Sequence, residues 1–444
     1  MQQPSHSRSQ PVIGAGSGPL FLVLDQGGSQ SRALVYNQQG DPIAQAQRPV
    51  DTQYPAPRHV EHHPEQLVAS LQQCAAEAVE QLKPMQQQQL KYWGLACQRS
   101  SFIAWDNNTG QPLTPVISWQ DTRASDESHW SEKQIELLTE RTGLHPSHHL
   151  SGGKMRWCLA HHQPVIDAAK QGRLQMAPLA SYLAMALTGA PAKVDASTAQ
   201  RTLLWAYQSL DWQPALLNLF GINRNWLPPT CPCVSDWGAL QIAGITLPGR
   251  FVGGDQGCAH YGSGAMFPTT LKVNLGTGSF ASLPQPTAAQ PPQGLLLSLA
   301  SDDQDSQSWM IEATINGAGA ALNWLQQQHP HIDIKACYRQ PLSADPGLFI
   351  NAVSGLGSPF WRSDLSSEFI DSPTLPQQYS AVIESILFLI QTNLERMQQA
   401  GCKIERIELA GGLSQAKQLP QRLADLSRLP LQLQSQAEAT ARGV

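Results

Sequence analysis

Two aspartates and two turns of small residues give this chain the candidate parts of a phosphoryl-transfer site. Asp25 ends the apolar run Leu20-Phe21-Leu22-Val23-Leu24 and is followed, after Gln26, by Gly27-Gly28-Ser29. Far downstream, Asp255 stands among Gly253, Gly254 and Gly257, and a second turn, Gly276-Thr277-Gly278-Ser279, follows another apolar run. Transfer of a phosphoryl group from a nucleotide to a neutral alcohol needs donors around the phosphates, a metal held by carboxylate and a base on the alcohol. Glycines let backbone N–H groups approach phosphate oxygens and each small hydroxyl adds a donor, so two such turns can grip phosphates from both sides of a cleft. Asp25, at a strand end beside the first turn, is placed to hold Mg2+ through water, because Mg2+ keeps several waters and takes one or two carboxylates. Asp255 is the candidate base: it would accept the hydroxyl proton late in transfer and orient the oxygen towards the γ-phosphate. Taken singly, each turn reads as a tight turn in a sheet, Asp25 as an Asx-turn and Asp255 as a helix cap. Their joint occurrence, with a further pair at Gly411-Gly412, favours chemistry.

The elements that must position these residues are legible as an α/β pattern occurring twice. The run 19–24, the small-residue turn and the run Arg32 to Tyr36 predict a hairpin with a carboxylate at its tip, and a third strand follows the turn Asn37 to Asp41. Pro64 to Leu82 carries Leu67, Leu71, Cys74, Ala75, Ala78, Val79 and Leu82 at helical spacing, with proline where helices accept it. Lys91 to Ala96 predicts a strand delivering Gln98 and Arg99 to its C-terminal edge, where open α/β sheets put ligands. Helical patterns dominate from Ser125 to about Leu219. The pattern restarts near Leu247 to Val252, and a strand at Thr270 to Leu275, the second turn and a strand at Phe280 to Leu283 repeat the first hairpin. Ile404 to Ala410 is a strand running into Gly411-Gly412, and Pro420 to Leu426 reads as a helix; such a turn allows close backbone approach to a flat or anionic ligand. The repeat predicts a duplicated nucleotide-binding half, with domains at 19–248 and 249–444 behind a disordered tail at 1–18.

Bulk properties agree with two lobes and a cleft. A chain of 444 residues exceeds what one hydrophobic core usually serves, and 41% hydrophobic with 14% charged residues is a globular composition. A formal charge of -5 and the lack of any Lys/Arg run argue against nucleic acid as a partner. Eight cysteines without a CxxC pair suit reduced thiols in a cytoplasmic protein. The polar first 18 residues and the lack of a long apolar run argue against a signal peptide or a membrane span. The histidine clusters at His59, His62, His63 and at His145, His148, His149 stand beside no suitable second ligand type in sequence, and Cys231-Pro232-Cys233 reads as a proline turn. Most of the 12 tryptophans fall among apolar neighbours at helical spacing and read as core. Trp105 follows the Gln98-Arg99 strand and is expected to wall the pocket.

The chain resembles the FGGY carbohydrate kinases, and among them the glycerol kinases most. The resemblance rests on motifs that fall in the family's order from about residue 20 to the end. They include Asp25-Gln26-Gly27 with Ser31-Arg32, Val60-Glu61-His62, Gln98-Arg99, Trp119-Gln120-Asp121-Thr122-Arg123, Arg201-Thr202-Leu203-Leu204, Gly254-Asp255-Gln256, Gly276-Thr277-Gly278 and Ser354-Gly355-Leu356-Gly357-Ser358-Pro359. It implies two duplicated actin-like ATPase (ribonuclease H-like) domains with a central cleft, ATP with Mg2+ as cofactor, and Asp255 as base. By the same resemblance Gly27, Gly28, Ser29, Arg32, Gly276, Thr277, Gly319, Asn323, Gly411 and Gly412 lie along the nucleotide. Gln98, Arg99, Ser100, His149, Asp255, Gln256 and Trp105 would surround a small sugar or polyol, and a homodimer or higher homo-oligomer is compatible with it.

Three departures bear on function. Arg99 is followed by Ser100 where glycerol kinases have a glutamate, His149 stands where they have a substrate-contacting tyrosine, and Gly28 replaces a threonine in the first turn. The altered pocket would admit a longer polyol, a ketose or an acid paired with Arg99. The segment Glu438 to Val444 stops where the family enters another helix, which is expected to leave an apolar face exposed. Two alternatives stay open: a glycerol kinase proper, and a non-catalytic sugar- or nucleotide-sensing protein on the same fold.

Overall fold

The computed structural model describes residues 18–127, 129–264, 267–331, 333–371, 374–434 and 438–444. Apart from Gly18, the tail expected to be disordered lies outside the described residues.

The first lobe is built on a six-stranded sheet. Its strands are β1 (Leu20–Gln26), β2 (Gln30–Tyr36), β3 (Pro42–Pro49), β4 (Leu90–Cys97), β6 (Ala239–Ile242) and β7 (Ile245–Gly254), in the order β6-β7-β4-β1-β2-β3. β1 and β2 form the antiparallel hairpin expected, with Asp25 opposite Arg32, and β3 continues antiparallel. β4 and β7 run parallel to β1 and to each other, so Gln26, Cys97 and Gly254 end three neighbouring strands at one level. Helix α1 (Pro64–Glu80) opens on its proline and buries Leu67, Leu71, Cys74, Ala75, Ala78 and Val79. That stripe is what periodicity predicted, and each fully buried aliphatic side chain contributes ~1.5–3 kcal/mol. A separate sheet containing β5 (Phe102–Asp106) and helix α2 (Ser151–His161) sit within an intervening segment that ends with helix α3 (Ala196–Gln200).

The second lobe repeats the plan. Helix α4 (Asp255–Gly262) leads to β8 (Thr270–Leu275), β9 (Ser279–Gln285), β10 (Leu296–Asp302) and β11 (Gln307–Ile315). Then come α5 (Gly319–Gln328), α6 (Leu375–Gln399), β12 (Arg406–Ala410), α7 (Leu419–Ser427), β13 (Leu431–Leu433) and α8 (Ala439–Arg442). Sheet order is β10-β11-β9-β8-β12-β13. Around β8, as around β1, two antiparallel strands lie on one side and two parallel strands on the other. The duplication read from the two small-residue turns is therefore present in the strand order itself. Only the sixth strand differs: β6 extends the parallel side of one sheet, β10 the antiparallel side of the other.

The boundary expected near 248 falls inside β7. That strand pairs with β4 in the first sheet, so the first lobe's sheet runs to Gly254 and Asp255 opens α4 at the junction. β10 fastens the lobes together. Gln200 at the end of α3 donates to the Leu297 carbonyl at 2.8 Å and accepts from Leu299 N at 2.8 Å. Leu296, Leu297, Leu299 and Trp309 consequently belong to the first lobe's hydrophobic core, while α6 and the apolar face of β8 and β12 form a second. Among the described residues no helix is long and apolar enough to cross a membrane.

Candidate active site

The C-terminal ends of β1, β4 and β7 carry Asp25, the Gln98-Arg99 pair and Asp255 side by side, the sheet edge at which α/β folds bind ligands. Asp255 occupies the first turn of α4, after Gly254, and its Oδ1 accepts from Gln256 N at 2.8 Å. The junction is held from behind: Gly254 N donates to Ser197 Oγ at 2.9 Å, and Ser197 donates to the buried Asp195 at 2.6 Å. Gly257 lets α4 lie on β10, since a Cβ there would stand 2.0 Å from the Ala300 carbonyl oxygen. Burial pushes the Asp255 carboxyl up to about 6, with Arg99 opposing the rise and the charge of Asp25 adding to it.

Asp25 is buried and pairs with Arg32, whose guanidinium also reaches Glu438. Arg32, expected along the nucleotide, is thus committed to two carboxylates and orients Asp25. Burial still raises the Asp25 pKa against the pull of Arg32. Two mutually repelling carboxylates at one sheet edge suit a divalent cation. Among the described residues no three His, Cys, Asp or Glu side chains cluster as a metal cage. That donor set fits an ion completed by water and phosphate oxygens.

The polar groups around Gln98, which adjoins Arg99 and Asp255 at the strand ends, are the candidate acceptor recess. Gln98 is buried and neither atom of its amide has a partner, a costly condition that a polar ligand would relieve. A Cβ on Gly28 would approach Gln98 Oε1 to 3.3 Å and Trp119 Nε1 to 3.9 Å. The first turn therefore abuts Gln98 and Trp119 at Gly28. His149 packs at a 52° tilt on Trp119 with ring centroids 6.0 Å apart and its Nδ1 3.2 Å from the Trp119 carbonyl oxygen, and burial pushes its pKa down to about 3, leaving the ring neutral. Ser100 is buried with φ of 65°, and its carbonyl accepts from Ser151 Oγ at 3.1 Å and Lys154 Nζ at 3.3 Å. Lys154 also donates to the carbonyls of Ser118 at 2.9 Å and His149 at 3.0 Å. One buried lysine on α2 therefore ties together the three loops that shape the recess. Burial pushes its pKa down to about 7, while three carbonyl acceptors favour the ammonium form.

Trp105 does not wall this recess. It lies in β5, which is buried on both faces, and packs on Tyr182 with ring centroids 5.6 Å apart. Trp119 takes the position expected of it. The signal was present in Trp119-Gln120-Asp121-Thr122-Arg123: Asp121 binds Arg123 and accepts from Val60 N at 2.6 Å, and Arg123 reaches Glu61 at 2.6 Å. That network anchors the loop carrying Trp119.

Arg99 leaves β4 and crosses to the second lobe. Its Nη1 and Nη2 meet the two carboxylate oxygens of Glu312 on β11 at 3.2 and 3.0 Å, and its Nε lies 3.9 Å from Asp255 Oδ1. Arg201 also pairs with Glu312, and Ser298 donates to the same carboxylate. Burial acts to raise the Glu312 pKa, yet Arg99 and Arg201 outweigh it and hold the group well below the usual carboxylate range. The pairing of Glu312 with Arg99 was not foreseen from the sequence.

In the second lobe, which carries the residues expected along the nucleotide, the second turn is capped by α5. Gly319 N donates to the Gly276 carbonyl at 3.0 Å and Ala320 N to that of Thr277 at 2.8 Å, while Asn323 stands exposed one turn further on. A Cβ at Gly319 would come 2.8 Å from Gly276 O. Gly411 has φ of 92° and would place a Cβ 2.4 Å from Leu275 O, whereas Gly412 faces open space. Gln256 lines a cavity of about 470 Å3 together with His260, Lys272, Asn274, Glu408 and Gly411.

Two lobes repeat one strand plan, each with a small-residue turn in its first hairpin, and the first lobe's strand ends carry Asp25 and lead into Asp255. Residues 20–252 match the N-terminal domain, and residues 271–444 the C-terminal domain, of the FGGY family of carbohydrate kinases. The chain belongs to that family and is an ATP-dependent phosphotransferase acting on hydroxyl groups. It is 30% identical over 441 residues to a glycerol kinase of Acidovorax ebreus (strain TPSY), covering 95% of this chain and 88% of the relative. Among solved structures, Plasmodium falciparum glycerol kinase with ADP superposes with a TM-score of 0.83 at 21% identity, covering 96% of this chain and 88% of that one. The xylulose kinase of Rhodospirillum rubrum reaches 0.82, also at 21%, with the same coverage.

Proposed function

We propose that the protein transfers the γ-phosphate of ATP to a hydroxyl of a small sugar or polyol, with Asp255 as the base, in the cytoplasm. The observation that carries this reading is the alignment of Asp25, Gln98-Arg99 and Asp255 on adjacent strand ends, with the first small-residue turn abutting Gln98. The acceptor oxygen attacks the γ-phosphorus and the bond to the β-phosphate oxygen breaks. The hydroxyl proton passes to the Asp255 carboxylate, and ADP leaves. Gln98 and Trp119 would orient the acceptor, and Asp25 would hold Mg2+ through water, the ion supplying charge neutralisation on the phosphates. The two turns would grip the phosphates, and Gly319, Asn323, Gly411 and Gly412 would follow the nucleotide.

The named relatives include glycerol and xylulose kinases, and the altered Ser100 and His149 favour a polyol or ketose longer than glycerol. A coupled assay of ADP release over a panel of polyols, ketoses and sugar acids tests this. A polyol or ketose should stimulate ADP formation well above the rate with water alone. Should ATP bind while no acceptor does so, the sensor alternative replaces this reading.

A further inference from the structure

Arg99 is the cation that forms an ion pair with Asp255, at 3.9 Å, and a free guanidinium there would make sugar acids natural acceptors. It is not free. Both of its Nη atoms face the carboxylate of Glu312 at 3.0 and 3.2 Å, the geometry of a two-pronged Arg–carboxylate pair, and its remaining Nε is turned towards Asp255 at 3.9 Å. Arg201 and Ser298 complete the shell of the same glutamate. Arg99, Arg201, Glu312 and Ser298 are all largely or wholly removed from solvent, so the arrangement is fixed by burial as well as by charge. With Asp255 ionised, two guanidiniums and two carboxylates cancel, and the recess presents no net charge from this group of side chains.

We infer that Glu312, reaching across from the second lobe, is a specificity-determining residue that occupies Arg99 and so restricts the acceptor to uncharged sugars and polyols. An incoming substrate carboxylate would find the fork of Arg99 already bound. It would also face the like charges of Asp255 and Asp25, since Arg32 is committed to Asp25 and Glu438. A neutral hydroxyl meets no such opposition and can pair with the unpartnered amide of Gln98. Arg99 then acts through Glu312 and Asp255 as a positioning group, holding the base in a fixed field. Because Glu312 joins β11 to the end of β4, the same contact makes the neutral recess conditional on the two lobes being together.

This inference rests on the kinase reading for its location but is tested separately by binding. Matched pairs that differ only in a carboxylate, sorbitol with gluconate and xylitol with xylonate, are titrated calorimetrically into the full chain without ATP, and ADP formation is followed in parallel. The wild-type protein should bind the alcohol of each pair at least about tenfold more tightly than the acid. Glu312→Gln, which keeps the shape and removes the charge, should shift the acid-to-alcohol affinity ratio roughly ten- to a hundredfold towards the acid, the range of a charge-assisted contact. The double variant Glu312→Gln/Arg201→Gln leaves the summed charge unchanged but still frees Arg99, and should give the same shift. A purely structural glutamate would lower both affinities and leave the ratio alone, which overturns the inference. A shift in the single variant absent from the double overturns it also, because the general field and not the occupied fork would then be selecting. Should neither variant fold, the wild-type comparison decides: acid bound as tightly as alcohol, or neither bound at tens of millimolar, refutes the proposal. An acceptor that binds with this preference but yields no ADP refutes the kinase reading alone.

Discussion

Asp255→Asn should stabilise the protein while abolishing transfer, and the size of the gain follows from where the carboxyl sits. Burial, only partly offset by Arg99, lifts its pKa from 3.8 to about 6. The unfolded chain therefore releases this proton about two pH units before the folded one. At ~1.4 kcal/mol per unit, ionising Asp255 in the folded state costs ~3 kcal/mol. With 27% of the side chain exposed, solvent screening reduces the expected figure to ~2 kcal/mol. The sign is fixed by linkage: the contribution of Asp255 is fully present below 3.8 and is lost as the pH rises through about 6. Asparagine cannot ionise and escapes the loss. In urea melts at pH 8 the variant should exceed wild type by ~2 kcal/mol, with the gap closing as the pH approaches 4. Wild-type kcat/KM should fall with unit slope below about pH 6, where the proposed base becomes protonated. The variant should keep its ATP affinity within a few-fold and lose transfer by roughly 10²–10⁴. Transfer at near wild-type rate would remove Asp255 from the mechanism, and a variant no more stable than wild type at pH 8 would refute the burial argument.

Gln98→Leu removes a buried amide that makes no hydrogen bond, so the unliganded protein should gain ~1 kcal/mol in thermal or urea melts while the KM for the acceptor rises about tenfold. Gly319→Ala drives a methyl to 2.8 Å from Gly276 O and should raise the KM for ATP severalfold with little effect on that for the acceptor; equal effects on both would count against a nucleotide-side role. Trp119→Ala should weaken acceptor binding measured by calorimetry. Trp105→Phe, a change within the core, should lower the melting temperature and leave acceptor affinity as it was.

The strand ends were legible because apolar runs broke at Asp25, Gly253 and Gly276, and the helical stripe of α1 because its apolar residues recur at one spacing. The strand that spans the boundary expected near 248 continues in the first sheet for a related reason. The run before Gly253 looks like a fresh start along the chain, and only its pairing with β4, set by contacts some 150 residues away, assigns it to the first sheet. Trp105 and Trp119 show the same limit. Chain proximity to Gln98-Arg99 favoured Trp105, yet β5 is covered on both faces, and it is the loop pinned by Asp121, Arg123 and Glu61 that turns Trp119 back to the recess.

The least legible part is the charge of the pocket. Arg99 was readable as a substrate contact, but what it can bind depends on Glu312, which is 213 residues further along and on the other lobe. A buried arginine must have a partner, since an unpaired ion in low dielectric is costly. From the sequence, an acid paired with Arg99 was one of three acceptors the pocket could admit; the structure shows that the protein itself supplies the carboxylate. Ser100 adds to the same point. Loss of a glutamate there suggested a pocket open to acids, but the backbone turns at φ of 65° and commits the Ser100 carbonyl to Lys154 and Ser151. With Ser100 part of the scaffold, the charge that faces the acceptor is decided by Glu312 and Asp255 on either side of Arg99, and the base works beside a guanidinium whose own charge is already answered.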